Sequence, residues 1–243
     1  MFEGTIDIKV LKDVVGAVAA VVEDAKLQLT SEGMSVVGVD MANVSLVDLK
    51  LPASAFESYA LDGGAMDVGV AFERLRDLLT AAQHSGLVRM SIDDAKIRLG
   101  MGSLLYAMTR LDVAALRKEP KIPSLDFAAR VSLNINDLVR TLKACSKVGD
   151  FVQIGVESGL FYIETEGETD KVRLDMGEEQ LQGMDVTADV KSLYSLDYVS
   201  TLLHGLTFAD VVDLEFGTNY PLRLGATNVI KVSYLLAPRI DSD

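Results

Sequence analysis

The stretch Ile8-Lys9-Val10-Leu11-Lys12-Asp13-Val14-Val15-Gly16-Ala17-Val18-Ala19-Ala20-Val21-Val22 decides how the chain is organised, because its pattern returns half a chain later. Leu11, Val14, Val15, Val18 and Val22 fall on one face of an α-helix. From Asn134 the same spacing recurs in Ile135, Leu138, Leu142 and Cys145, and Leu138 follows Leu11 by 127 residues (138 − 11). Three further features repeat in the same order. The turn-like Ser31-Glu32-Gly33-Met34 has a counterpart in Glu157-Ser158-Gly159-Leu160, with Gly33 and Gly159 separated by 126 residues (159 − 33). A second helical pattern, Phe72, Leu75, Leu78, Leu79 and Ala82, is matched by Leu196, Val199, Leu202, Leu203 and Leu206, displaced by 124 (196 − 72). Arg98-Leu99-Gly100 recurs as Arg223-Leu224-Gly225, displaced by 125 (223 − 98). One such match is weak, since any two amphipathic helices can be slid into register. Four in order imply a duplicated domain.

Between the helical patterns lie β-branched, partly alternating runs: Leu27 to Thr30, Ser35 to Val39, Val44 to Leu49, and Lys231 to Leu235. Many strands with two helices per half predict an α+β fold, with helices packed on one face of antiparallel sheet. The halves are joined by Arg117-Lys118-Glu119-Pro120-Lys121-Ile122-Pro123-Ser124. Two prolines in four residues oppose both helix and central strand, so this is expected to be an extended, exposed connector. The boundaries read as 1–116, a connector over 117–126, and 127–243.

The 243 residues carry a net charge of −13, yet 49% are hydrophobic, ample for a core. No apolar run reaches the ~18–20 residues a membrane helix needs. Met1-Phe2-Glu3-Gly4 lacks a basic-then-apolar leader pattern, and the single Cys145 cannot form an internal disulfide. A cytoplasmic, non-membrane protein is expected. The acidic balance argues against a chain that wraps nucleic acid in a basic coat. It does not exclude a local basic surface, because screening over ~8 Å separates one face from another.

Catalytic signatures are missing. His84 and His204 have no ligand partner at helical spacing, and neither a P-loop nor a dinucleotide fingerprint surrounds Gly100 and Gly102. Asp93-Asp94 suits a turn, and Cys145 sits on the apolar side of its helix. No cofactor, metal or catalytic residue is expected. A duplicated α+β enzyme with a carboxylate site between its domains stays open as an alternative.

Positive charge has a preferred place. In the helix from Asn134, Arg140, Lys143 and Lys147 share an arc with Asn136 opposite the apolar face, making them candidates for phosphate contact. Lys9 and Lys12 lie on the polar face of the first helix, together with Asp13 and Glu23. The second helix of each half offers less: Glu73 and Asp77 occupy one polar face, and only His204 the other. Contacts of this kind are sparse and independent of base sequence.

The opening Met1-Phe2-Glu3, the Val39-Asp40 to Asn43-Val44-Ser45-Leu46 stretch, the proline-containing connector and the ending Tyr234-Leu235-Leu236-Ala237-Pro238-Arg239-Ile240 resemble the proliferating cell nuclear antigen family of sliding clamps, closest to its archaeal form. The resemblance spans essentially the whole chain. It implies a DNA clamp fold of two tandem similar domains, three chains closing into a homotrimeric ring, helices lining the interior and antiparallel sheets outside. It implies a processivity factor of DNA replication and repair, encircling double-stranded DNA topologically beside the nucleoid. A subunit of a heterotrimeric clamp is the nearest alternative.

Partners implied by the resemblance are DNA polymerase, a clamp loader, nuclease and ligase. These dock through short motifs with a glutamine and hydrophobic or aromatic anchors. The matching pocket positions are Val39 and Val44 of the central loop, Ile122, Pro123 and Phe127 of the connector, and Leu235, Leu236, Ala237 and Pro238 near the end. Strand alternation predicts that one of Leu235 and Leu236 faces outward. Subunit contact in the family joins edge strands. The matching segments are Leu104 to Leu111, with Tyr106, Met108 and Arg110, and Lys171 to Met176, with Lys171, Arg173 and Leu174. Pro120 stands where family members often carry an aliphatic residue.

Overall fold

A computed structural model describes residues 1–82 and 85–240. Two compact units emerge, the first comprising Met1–Met41, Val47–Lys121 and Asn228–Val232, the second Ala42–Leu46, Ile122–Thr227 and Ser233–Asp243. His84 lies outside the described residues.

The first run of elements is β1 (Phe2–Asp7), α1 (Ile8–Ala19), β2 (Asp24–Thr30), β3 (Gly33–Val39), β4 (Ser45–Pro52), β5 (Ser58–Leu61), β6 (Ala65–Ala71), α2 (Phe72–Ala81), β7 (Leu87–Ile92), β8 (Lys96–Met101) and β9 (Leu104–Thr109). The second is β10 (Ala129–Asn134), α3 (Ile135–Cys145), β11 (Phe151–Glu157), β12 (Leu160–Glu166), β13 (Lys171–Met176), β14 (Gly183–Val186), β15 (Val190–Ser195), α4 (Leu196–His204), β16 (Val211–Phe216), β17 (Leu222–Thr227) and β18 (Lys231–Leu236). The order of helices and strands is the same twice over.

Pairing repeats as well. The first run gives the orders β5-β1-β7-β8-β9 and β4-β3-β2-β6; the second gives β14-β10-β16-β17-β18 and β13-β12-β11-β15. Among β1–β3, β5–β9 and β10–β17 the neighbouring strands pair antiparallel. This is the α+β arrangement expected from the sequence.

The helices start by the same device in each run. The Asp7 carboxylate accepts from the Lys9 amide at 2.7 Å, and the Asn134 side chain accepts from the Asn136 amide at 2.9 Å, each satisfying an otherwise orphaned helix donor. The amides of Ile8 and Ile135 donate to the carbonyls of Gly86 and Asp210. Phe72 and Leu196 donate likewise to Glu23 and Asp150. Leu11, Val14, Val15 and Val18 of α1, and Ile135, Leu138, Leu142 and Cys145 of α3, are buried as their spacing predicts. Val22 is the exception: α1 ends at Ala19, and Val22 instead packs where Gly38 leaves room, since a Cβ there would sit 3.0 Å from its Cγ1.

The glycine match needs a shift of one residue. Thr30 pairs with Gly33, so the first hairpin loop is Ser31-Glu32; Glu157 pairs with Leu160, so the second is Ser158-Gly159. The loops are therefore 127 residues apart (158 − 31), in step with the first helices. Ser158 and Gly159 carry φ of 52° and 79°, the left-handed pair of a type I′ hairpin turn. Gly33 is glycine for a different reason, because its φ is 140° and a Cβ would lie 2.1 Å from the Leu51 carbonyl oxygen.

Candidate functional site

Helix α3 carries Arg140 and Lys143 on its exposed side, but the arc is not free of acid. Arg140 Nη2 meets Asp137 Oδ1 at 2.6 Å, one helical turn back. The Arg140 side chain is 80% exposed, so this pair is weakly held and exchanges readily with water or another anion. Lys147 lies beyond the helix, in a turn closed by Val148 and Gly149 donating to the Cys145 carbonyl. The helical-arc reading is corrected for it: the repeat stops where α3 stops. Lys143 occupies the last turn, where a cation is favoured by the exposed carbonyls.

His204 ends α4. Its Nδ1 lies 2.7 Å from the Ser200 carbonyl, which can only accept, so Nδ1 carries the hydrogen and the ring is fixed against its own helix. In the first unit Lys9 is exposed and Lys12 half-buried on α1. Asp13 beside them is half-buried. Burial, then repulsion from Asp7, pushes its carboxyl above the usual range, with Lys9 opposing.

Within the second unit a cleft of about 1080 Å³ runs along α3 and α4. Lys143 and His204 line it, together with Val44, Ala237 and Pro238. Two groups that the sequence assigned to separate tasks thus share one depression. The chain end is strapped there by backbone: Ala237 donates to Val44 at 2.9 Å, Arg239 donates to Leu193 at 2.7 Å, and the Arg239 guanidinium stacks 4.2 Å above Phe151.

The other partner-pocket candidates are distributed differently. Ile122 is 45% exposed, and Pro123 is exposed in a segment without helix or strand. Phe127 is half-buried, edge-on to Tyr220 with centroids 5.7 Å apart and capped by Arg223 at 4.6 Å. It anchors the far end of the connector. Val39 is half-buried at the end of β3, in the first unit. Leu235 and Leu236 are both buried, at 8% and 1%, which corrects the alternation reading: Tyr234, Leu235 and Leu236 are all covered, so both faces of β18 are packed at this end.

The edge candidates divide too. Met108 is 3% exposed and points into its own core, so at an edge it offers only backbone. Arg110 is committed within the chain, donating to the Asp93 and Asp67 carbonyls at 2.7 Å each. Tyr106 is half-buried. The outward apolar residues of β9 are Leu104 and Leu105, at 47% and 69% exposure; a Leu-Leu pair that breaks alternation was the available signal. On β13, Lys171 and Arg173 converge on Glu164 at 2.8 and 3.0 Å, and Arg173 lies 4.1 Å over the Tyr162 ring. Burial alone would raise the Glu164 carboxyl, but the hydrogen bonds from Lys171 and Arg173 outweigh it and hold the pKa below its ordinary value. Leu174 is half-buried.

Two strands stand apart among the sheet edges. β5 and β14 are four-residue edges, and β4 and β18 are no edges, each having a strand neighbour on both sides. β6 is covered by a bridge from Gly69 to Leu111, and β15 by one from Leu193 to Arg239. Among the described residues this leaves β9 and β13, six residues each, as the long edges with no cover.

Comparison with known proteins fits this architecture. Residues 1–105 match the family described as proliferating cell nuclear antigen, N-terminal domain. The DNA polymerase sliding clamp of Methanothrix thermoacetophila is 40% identical, with all of both chains covered. The chain belongs to the sliding-clamp family. Clamps of Methanosarcina mazei and Halobacterium salinarum are 37% and 35% identical over the full length of both chains. Among solved structures, A. fulgidus PCNA bound to the C-terminal region of FEN-1 superposes with a TM-score of 0.93 at 29% identity, covering both chains fully. The Thermococcus kodakaraensis clamp, at 24% identity and a TM-score of 0.89, covers 98% of this chain and all of its own and supports the fold alone. No helix among the described residues is long and apolar enough to cross a membrane.

Proposed function

We propose that three copies of this chain close into a ring around duplex DNA and tether replication and repair proteins to it. The observation that carries this is the pair of uncovered, equally long edge strands, β9 and β13. Joining β9 of one copy to β13 of the next removes both edges and repeats head to tail until the ring closes. Each copy contributes two clamp domains, residues 1–116 and 127–243, joined by the connector at 117–126.

Retention is topological, so affinity for DNA is low and independent of base sequence. Lys9, Lys12, Arg140, Lys143, Lys147 and His204 supply exchangeable phosphate contacts, which let the ring slide. Clients insert hydrophobic or aromatic anchors at Val39, Val44, Ile122, Pro123, Ala237 and Pro238, each buried anchor contributing ~1.5–3 kcal/mol. Phe127 is half-buried and Leu235 and Leu236 are buried, so these three offer clients packing support and little direct contact. Polymerase, nuclease, ligase and an ATP-driven loader are the expected clients, and the structure that pairs the A. fulgidus clamp with FEN-1 supports the class. The chain acts as a scaffold without catalysis, in the cytoplasm beside the nucleoid.

Light scattering on the purified protein tests the assembly. A mass of three chains is expected. A persistent monomer contradicts self-closure and favours a ring built from different chains.

A further inference from the structure

The connector is not uniform along its length. Arg117 Nη1 donates to the carbonyl of Asp40, in the central loop that follows β3. Glu119 Oε2 lies 3.3 Å from Lys26 Nζ, which lies 3.3 Å from Asp67 Oδ2. Asp67 is itself fixed: its carbonyl accepts from Arg110 at 2.7 Å, and its other carboxylate oxygen faces Gln28 Nε2 at 3.4 Å. The Lys26 side chain is 20% exposed. Its burial opposes charge, but hydrogen bonds to Asp67 and Glu119 outweigh that and raise its pKa. Beyond Lys121 the picture changes. Ile122, Pro123 and Ser124 are exposed, and among the described residues no hydrogen bond or ion pair holds 122–126. The boundary between the two compact units falls at this same point, between Lys121 and Ile122.

We propose that Arg117, Glu119 and Lys26 are positioning residues for client docking, fastening the first half of the connector to the central loop and to β2 so that only its second half is ordered when a client binds. This rests on the client-docking reading of the connector and central loop. A strap already fixed over half its length loses less conformational freedom on binding than a loose one, and that difference appears as affinity. Because one fastening is an ion pair at the surface, it weakens with salt.

The test measures binding of an uncharged synthetic peptide, carrying a glutamine with hydrophobic and aromatic anchors, to the full-length protein by calorimetry. Arg117→Ala and Glu119→Gln are each expected to weaken binding about two- to fivefold, the range of an exposed charged contact. Their melting temperatures should match the wild type. Glu119→Asp, which keeps the carboxylate, should restore most of the affinity. In about 0.5 M salt, where charges are screened within a few ångströms, the wild type should approach the Glu119→Gln variant. Variants that bind like the wild type, or a Glu119→Asp protein as weak as Glu119→Gln, overturn the fastening while leaving the docking site intact. A wild type that does not bind the peptide, with Ile122→Ala as its matched control, removes the docking site and the inference with it.

Discussion

Replacing Glu164 with glutamine probes the best-defined charge cluster in the molecule. Glu164 is 9% exposed and receives Lys171 at 2.8 Å and Arg173 at 3.0 Å. A hydrogen bond to a charged group contributes ~1.5–3 kcal/mol when sheltered. Here the Lys171 side chain is 48% exposed, so its share must be discounted toward the few tenths of a surface pair. Arg173 keeps Asp175 at 2.8 Å and its stacking on Tyr162 in the variant, which limits its loss. The net cost comes to about 1–2 kcal/mol, or about 2–8 °C in unfolding midpoint for a chain of this size. Acid dependence supplies the sharper readout. The folded carboxyl titrates below its ordinary value of 4.5, so its stabilisation is fully present above that pH and is lost as pH falls through the folded value. Thermal unfolding followed by circular dichroism from pH 7 to 3, at one fixed protein concentration, should show the wild-type advantage at neutral pH shrinking below about pH 4.5. If the two proteins stay a constant interval apart across that range, the cluster does not act as described.

Three other perturbations have defined outcomes. Leu105→Lys leaves the β9 backbone intact but puts a charge on its most exposed leucine; the oligomer should dissociate at a concentration about five- to thirtyfold higher, from the ~1–2 kcal/mol lost per contact, as read by sedimentation on dilution. Gly33→Ala should destabilise by several kcal/mol or prevent folding, because φ is 140° and the new methyl meets the Leu51 carbonyl, with denaturant midpoint as the check. Lys143→Glu should leave stability near wild type but weaken the salt-dependent part of non-specific DNA contact, seen as a shallower slope of log affinity against log salt.

Much of the fold was legible because it depends on local periodicity. The apolar faces of α1 and α3 and the duplicated order of elements follow from spacing that a sequence displays directly. What was not legible depends on ends and on tertiary neighbours. Lys147 read as helical because a 3.6-residue pattern does not announce its last turn. Leu235 and Leu236 read as alternating because the layers covering β18 come from elsewhere in the chain. Arg110 is held within its own chain by the carbonyls of Asp93 and Asp67, neighbours that no local pattern announces. The convergence of Val44, Ala237 and Pro238 with Lys143 and His204 on one cleft joins residues nearly 200 positions apart, and no local pattern carries that. The asymmetry of the connector likewise lies in the partners of Arg117 and Glu119, which composition does not reveal.

The topological claim is tested most directly by loading the protein onto nicked circular DNA with a clamp loader and ATP, sealing the nick, and washing in high salt before and after one restriction cut. Retention on the sealed circle followed by release on cutting is the expected result. Equal loss from the intact circle and the cut DNA would mean that simple charge attraction held the protein there, and that no closed ring had formed.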